Sequence, residues 1–221
     1  DATKGAYVLK DAPAGSTPAA VILASGSEVE IALQAQTELA AGGIATPPGR
    51  LSFVETITVL NREPAAFGWG DDTIVFFNDS DRFEYASPGV DVDTRSGVIC
   101  LPNNFDYGAG KSLPEGLLRV TCLARPDVWS ALPEEEYRSA KQRWFTAVQD
   151  SARRFLPLPM GAVTPEAAVV ATDMFTPRTI TKFTGHLAGA IYGSPFKNRQ
   201  GRTALANVYL CGTDQGFLGI M

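Results

Sequence analysis

Between residues 51 and 127 the apolar positions come in short runs cut by turn-forming residues. "LSFVETITVLN", "DTIVFFNDSD", "SGVICLPNNFD" and "LLRVTCLARPD" are rich in β-branched and aromatic residues, and each ends among Asn, Asp or Pro. The last three of these runs predict strands separated by turn-rich segments, in a mixed or antiparallel sheet. The period then changes. Tyr137, Trp144, Phe145, Val148, Ala152 and Phe155 share one helical face, Pro133 and Glu134 to Glu136 mark a start, and Pro157 and Pro159 a stop. A long helix over about 133–156 follows, with Lys141, Arg143, Arg153 and Arg154 on or beside a solvated face. The fold class expected is α+β, with flanking helices.

Upstream the pattern differs. "GAYVL" and "AAVILASG" read as strands around the loop "DAPAGSTP", and "SEVEIALQAQTELAAGG" reads as a helix. Its apolar stripe is Val29, Ala32, Leu33, Leu39 and Ala40; Ser25/Glu28 and Ser27/Glu30 have capping-box spacing, and Gly42-Gly43 is a stop. This is half of a β-α-β unit. Pro47, Pro48 and Gly49 interrupt the run where the next strand would begin. Two parts are therefore expected, 1–48 and 49–221.

Downstream, "AAVVATDMFTPRTITKFTGHLAGAIYGSP" places glycines at 185, 189 and 193. That spacing suits either a small-residue helix face or a backbone lying close against a flat ligand. In "NVYLCGTDQGFLGIM", Asn207 to Cys211 reads as a strand, Gly212 to Asp214 as a turn, and Gly216 onward as a helix start. Free N–H groups and the helix dipole make such a turn a seat for a phosphate or cofactor. Asp214 has a physical role in either case, capping the helix or hydrogen-bonding a cofactor hydroxyl.

Composition narrows the function classes. At 221 residues, 45% hydrophobic and 19% charged, the chain is globular in type and large enough for a sizeable core. A net charge of −5 and no basic cluster argue against nucleic acid as a partner. Apolar runs such as "AAVILA" are too short to span a bilayer, so the expectation is a non-transmembrane, cytoplasmic protein. Cys100, Cys122 and Cys211 lie far apart in apolar runs, as buried reduced thiols do, with no spacing for a metal. "GAGKS" (Gly108 to Ser112) has neither the spacing nor the strand-helix setting of a phosphate loop. His186, the sole histidine, is the side chain whose ordinary pKa lies near neutrality; it is a candidate acid–base group or a structural residue.

Two resemblances enter on these segments. "GAYVLKDAPAGSTPAAVILASGSEVEIALQAQTELAAGGIAT" resembles the opening of the transketolase C-terminal domain, a part that implies neither thiamine diphosphate binding nor catalytic residues. "FTPRTITKFTGHLAGAIYGSP" and "LANVYLCGTDQGFLGIM" resemble the C-terminal signature of FAD-dependent oxidoreductases that include phytoene desaturases, carotenoid isomerases and retinol saturases, over roughly 49–221. The second resemblance implies FAD as cofactor, with Gly212, Asp214 and Gly219 in the segment that closes its site. It also implies flavin redox chemistry on an apolar polyene or isoprenoid substrate. Phe183, Gly189, Tyr192 and Gly193, with Leu187 and Ile191, are candidates for the substrate or flavin face, or else ordinary core.

The G-x-G-x-x-G fingerprint that opens the family is absent, so a missing dinucleotide-binding domain is implied as a partner. The expectation is a chain made of two joined fragments, starting without methionine and stopping inside the closing motif. Such a chain would be an incomplete oxidoreductase, inactive alone. The alternative is a non-enzymatic α/β interaction module or a transketolase-derived fragment.

Overall fold

The structure, a computed structural model, describes residues 51–79, 81, 89–159, 164–186, 189–192 and 199–202. The expected N-terminal strand–helix piece, Leu187, Gly193, Cys211, Gly212, Asp214 and Gly219 lie outside these residues. Phe53–Pro177 form one compact unit. Leu51, Ser52 and the described residues from Arg178 onward belong to a second unit.

The first unit is built on a five-stranded sheet. Its strands are β1 (Ser52–Leu60), β2 (Ile74–Asn78), β3 (Ser96–Cys100), β4 (Gly116–Ala124) and β5 (Val169–Phe175), in the order β2-β3-β4-β1-β5. β2–β3, β3–β4 and β1–β5 pair antiparallel, and β1 runs against β4 with Glu55 beside Thr121 and Leu60 beside Gly116. The fold class is therefore α+β with an antiparallel sheet.

The strands have two apolar faces of unequal burial. β1 and β4 alternate buried and half-buried positions. On one face Val54, Leu60, Leu118, Val120 and Cys122 join Ile99, Phe77 and Met174 in the core. The long helix α2 (Glu134–Arg153) covers that face, after the short α1 (Pro126–Ala131). Ala140, Val148 and Ala152 are buried, and Tyr137, Trp144, Phe145 and Phe155 pack against the core beside them. This is the stripe expected from the spacing. Three glutamates in the first turn and Arg153 in the last complement the helix dipole.

Loop residues whose side chains replace backbone partners hold the strand ends. Asn103 donates to the Glu115 carbonyl and accepts from the Leu117 N–H, both at 2.8 Å, while Asn104 donates to the carbonyls of Trp69 and Asp72. The "LPNN" stretch thus ties the entry of β4 to the β1–β2 connection. In the glycine-bearing loop before β4, Gly108 and Gly110 have positive φ and both lie exposed.

Two features depart from the expectations, and two more refine them. The stretch after Ala167 contains strand β5, which the glycine spacing obscured; as an edge strand with an irregularity opposite Val59 and Leu60, it shows no clean alternation. α1 was not expected, because its six residues are too few to show a period. Gly185 and Gly189 have φ of 72° and 73°, so they are left-handed turn positions rather than a helix face. The cations assigned to a solvated face do lie there, Arg143, Arg153 and Arg154 exposed and Lys141 half-buried, and three of them are also paired: Lys141 with Asp173 at 2.8 Å, Arg153 with Glu166 and Arg154 with Asp79, both at 2.7 Å. Periodicity along one helix carries no information about acids brought by other segments.

Candidate functional site

The sheet face opposite α2 is the more unusual surface of the first unit. Strand alternation puts Phe53, Ile57 and Val59 of β1 there, with Leu117 and Leu123 of β4, half-buried rather than enclosed. The register carries the same face across β3 to Ile74 and Phe76 of β2, which are 43% and 79% exposed. Phe175 of β5 stacks against Phe53, ring centroids 6.3 Å apart.

A polar group sits within this apolar face. Arg119 of β4 donates from Nε and Nη2 to one oxygen of Glu55, at 2.8 and 2.7 Å, and Thr121 donates to the other at 3.0 Å. Glu55 is 14% exposed, while Arg119 is 45% exposed and has no other hydrogen-bond partner among the described residues. Cys100 is the cross-strand neighbour of Arg119; burial raises its thiol pKa, Arg119 pulls it down and Glu55 pushes it up. This cluster was missed in the sequence. A signal existed, since Glu55 interrupts the apolar row of Phe53, Ile57 and Val59, and Arg119 and Thr121 interrupt that of Leu117 and Leu123.

The second unit carries the residues singled out from the sequence. In the last turn of the helix α3 (Pro177–Thr184), Phe183 is 69% exposed with the Lys182 ammonium 5.2 Å from its ring centroid. Thr184 Oγ1 lies 2.7 Å from the Ile180 carbonyl and 2.6 Å from His186 Nδ1. The hydroxyl has one proton, and the carbonyl accepts it, so Nδ1 is the donor in the second contact and Nε2 of the neutral ring is a free base. Burial lowers the His186 pKa below its ordinary value, which keeps the ring neutral at pH 7.

Gly189 and Tyr192 are tied into the backbone of this unit. The Gly189 carbonyl accepts the Ser52 hydroxyl, the Gly189 N–H donates to the His186 carbonyl, and the Tyr192 N–H donates to the Leu51 carbonyl. Ile191 donates to the Gly189 carbonyl. His186, Phe183 and Gly189 are thus neighbours along one short segment. Among the described residues no group of three or more His, Cys, Asp or Glu is gathered to hold a metal ion, and no helix is long and apolar enough to cross a membrane.

Residues 5–65 match the family model of the transketolase-like TK C-terminal domain. The match spans just over a quarter of the chain and extends through β1 to the short 3-10 turn at Pro64–Phe67. It supports the transketolase likeness drawn from the N-terminal segment. No curated protein matches the chain.

Proposed function

We propose that the sheet unit is the substrate-facing part of a flavin-dependent oxidoreductase of the phytoene desaturase, carotenoid isomerase and retinol saturase type. On this reading the apolar face opposite α2 is the wall along which a polyene or isoprenoid lies. The observation that carries it is the exposure of this face: Phe76 and Ile74 lie open, and half-buried aliphatic residues continue the row across three further strands. Soluble chains rarely leave such a contiguous surface without a ligand or partner. The sequence likeness of the last fifty residues to that family supports the same conclusion.

The Gly189–Tyr192 segment brings little to FAD in this reading. The N–H groups of Gly189, Ile191 and Tyr192 are all donated within the chain, so none is offered to a flavin. In this reading Gly212, Asp214 and Gly219 carry that role, with a separate dinucleotide-binding domain. The transketolase-like match reaches residue 65 and includes β1, so Phe53, Ile57 and Val59 of the wall lie within it.

The test is titration of the purified chain with trans-retinol, followed by the fluorescence of the polyene. Saturable binding weakened at least about tenfold by Phe76→Asp is the expected result. An absence of saturable binding, or binding indifferent to Phe76→Asp, would sink the substrate-wall reading. Calorimetry with FAD should show no saturation below about millimolar, because exposed helix-end electrostatics supply only about 0.3–1 kcal/mol and micromolar binding needs about 8. Tight FAD binding abolished by Asp214→Ala would instead mean a complete flavin site.

A further inference from the structure

We propose that Glu55, Arg119 and Thr121 form a receiver for a neutral hydroxyl at the end of the apolar ligand, an inference that rests on the substrate-wall reading above. The cluster lies between apolar rows, with Ile57 and Val59 further along β1 and Val98 and Phe76 across β3 and β2. A hydrocarbon laid over it would strip water from the Arg119 guanidinium and return nothing. A ligand carrying a polar group at that point replaces the lost water.

The charges decide which polar group. Arg119 spends Nε and Nη2 on a single Glu55 oxygen, and Thr121 occupies the other oxygen, so the cluster is neutral and the rest of the guanidinium fork is uncommitted. A carboxylate brought to Arg119 would also meet Glu55, and an ammonium would meet Arg119. A hydroxyl suits both, accepting from the guanidinium and donating to the carboxylate. The ligand class is therefore an isoprenoid alcohol, and the cluster determines specificity without taking part in bond making.

The test is displacement of bound trans-retinol by farnesol, farnesoic acid and β-farnesene. In the unmodified chain farnesol should displace at about tenfold lower concentration than either of the others. Arg119→Met should make farnesol and β-farnesene displace at the same concentration. Glu55→Gln should turn the preference toward farnesoic acid, because Arg119 then lacks its counter-charge; this arm stands if Arg119→Met does not fold. Equal displacement by all three in the unmodified chain would overturn the receiver and leave the apolar wall standing. Retinol that never binds would overturn both.

Discussion

Phe77 and Phe155 stack with ring centroids 4.7 Å apart, joining edge strand β2 to the chain just beyond the long helix. The contact depends on Gly97, the cross-strand partner of Phe77. A Cβ there would stand 2.5 Å from the Thr121 carbonyl oxygen, 2.8 Å from the Phe77 ring and 3.0 Å from Cys122 Sγ. Gly97→Ala should destabilise the unit by about 1–3 kcal/mol in urea unfolding, the usual cost of overpacking. Gly89→Ala has nothing within 4 Å and should change stability by no more than about 0.5 kcal/mol.

Thr56 and Thr58 lie two apart on the buried face of β1 but differ in their partners. Thr56 Oγ1 accepts from Gln149 Nε2 at 2.7 Å, whereas Thr58 Oγ1 is buried without a hydrogen-bond partner among the described residues. Thr56→Val strands the Gln149 amide and should cost about 1–3 kcal/mol. Thr58→Val removes an unsatisfied group and should be neutral or stabilising by about 1 kcal/mol. Equal losses from both, measured by thermal unfolding, would mean that Thr58 has a partner in solution.

The two helices α1 and α2 should divide into costly and cheap positions. Trp129 is 1% exposed, and Trp129→Ala should cost about 3–5 kcal/mol. Trp144 is only half-buried, so Trp144→Ala should cost less. Lys141→Ala breaks a solvent-exposed pair with Asp173 and should cost about 0.2–1 kcal/mol. In that pair the Lys141 hydrogen bond lowers the Asp173 pKa, so its stabilisation is present above the unfolded carboxylate value and lost as pH falls through the folded one.

His186 should titrate below its ordinary value of about 6.5. Its folded ring binds a proton less readily than the unfolded one, so the favourable contribution is present above about pH 6.5. That contribution falls away as pH drops through the lower folded midpoint. Because the chain has a single histidine, NMR can follow the ring directly. The neutral ring should carry its proton on Nδ1, and Thr184→Val should abolish that preference. A midpoint at or above 6.5 would mean an exposed ring.

The two thiols in the sheet should differ in reactivity. Burial pushes Cys122 up to about 12, and it is almost wholly enclosed, whereas Cys100 is half-buried. At pH 8 an alkylating reagent followed by peptide mapping should modify Cys100 slowly and leave Cys122 intact until the chain unfolds.

Strands β2 to β4 and the apolar stripe of α2 were legible in the sequence because local spacing encodes them: a residue's face follows from counting by two or by 3.6. β5 was not legible. Its register is set by β1, and as an edge strand it needs no alternating pattern of its own. The same limit applied to chemistry. His186 and the positive-φ glycines could be picked out by type and spacing. The Glu55–Arg119–Thr121 cluster unites residues more than sixty positions apart, and only the pairing of β4 with β1 brings them to one point of the sheet. Sequence alone determined which segments would have an apolar face, because that depends on neighbours along the chain. Tertiary structure decided which face the helix would cover and which polar residues would meet on the other, because strand order and register are fixed by contacts between distant segments.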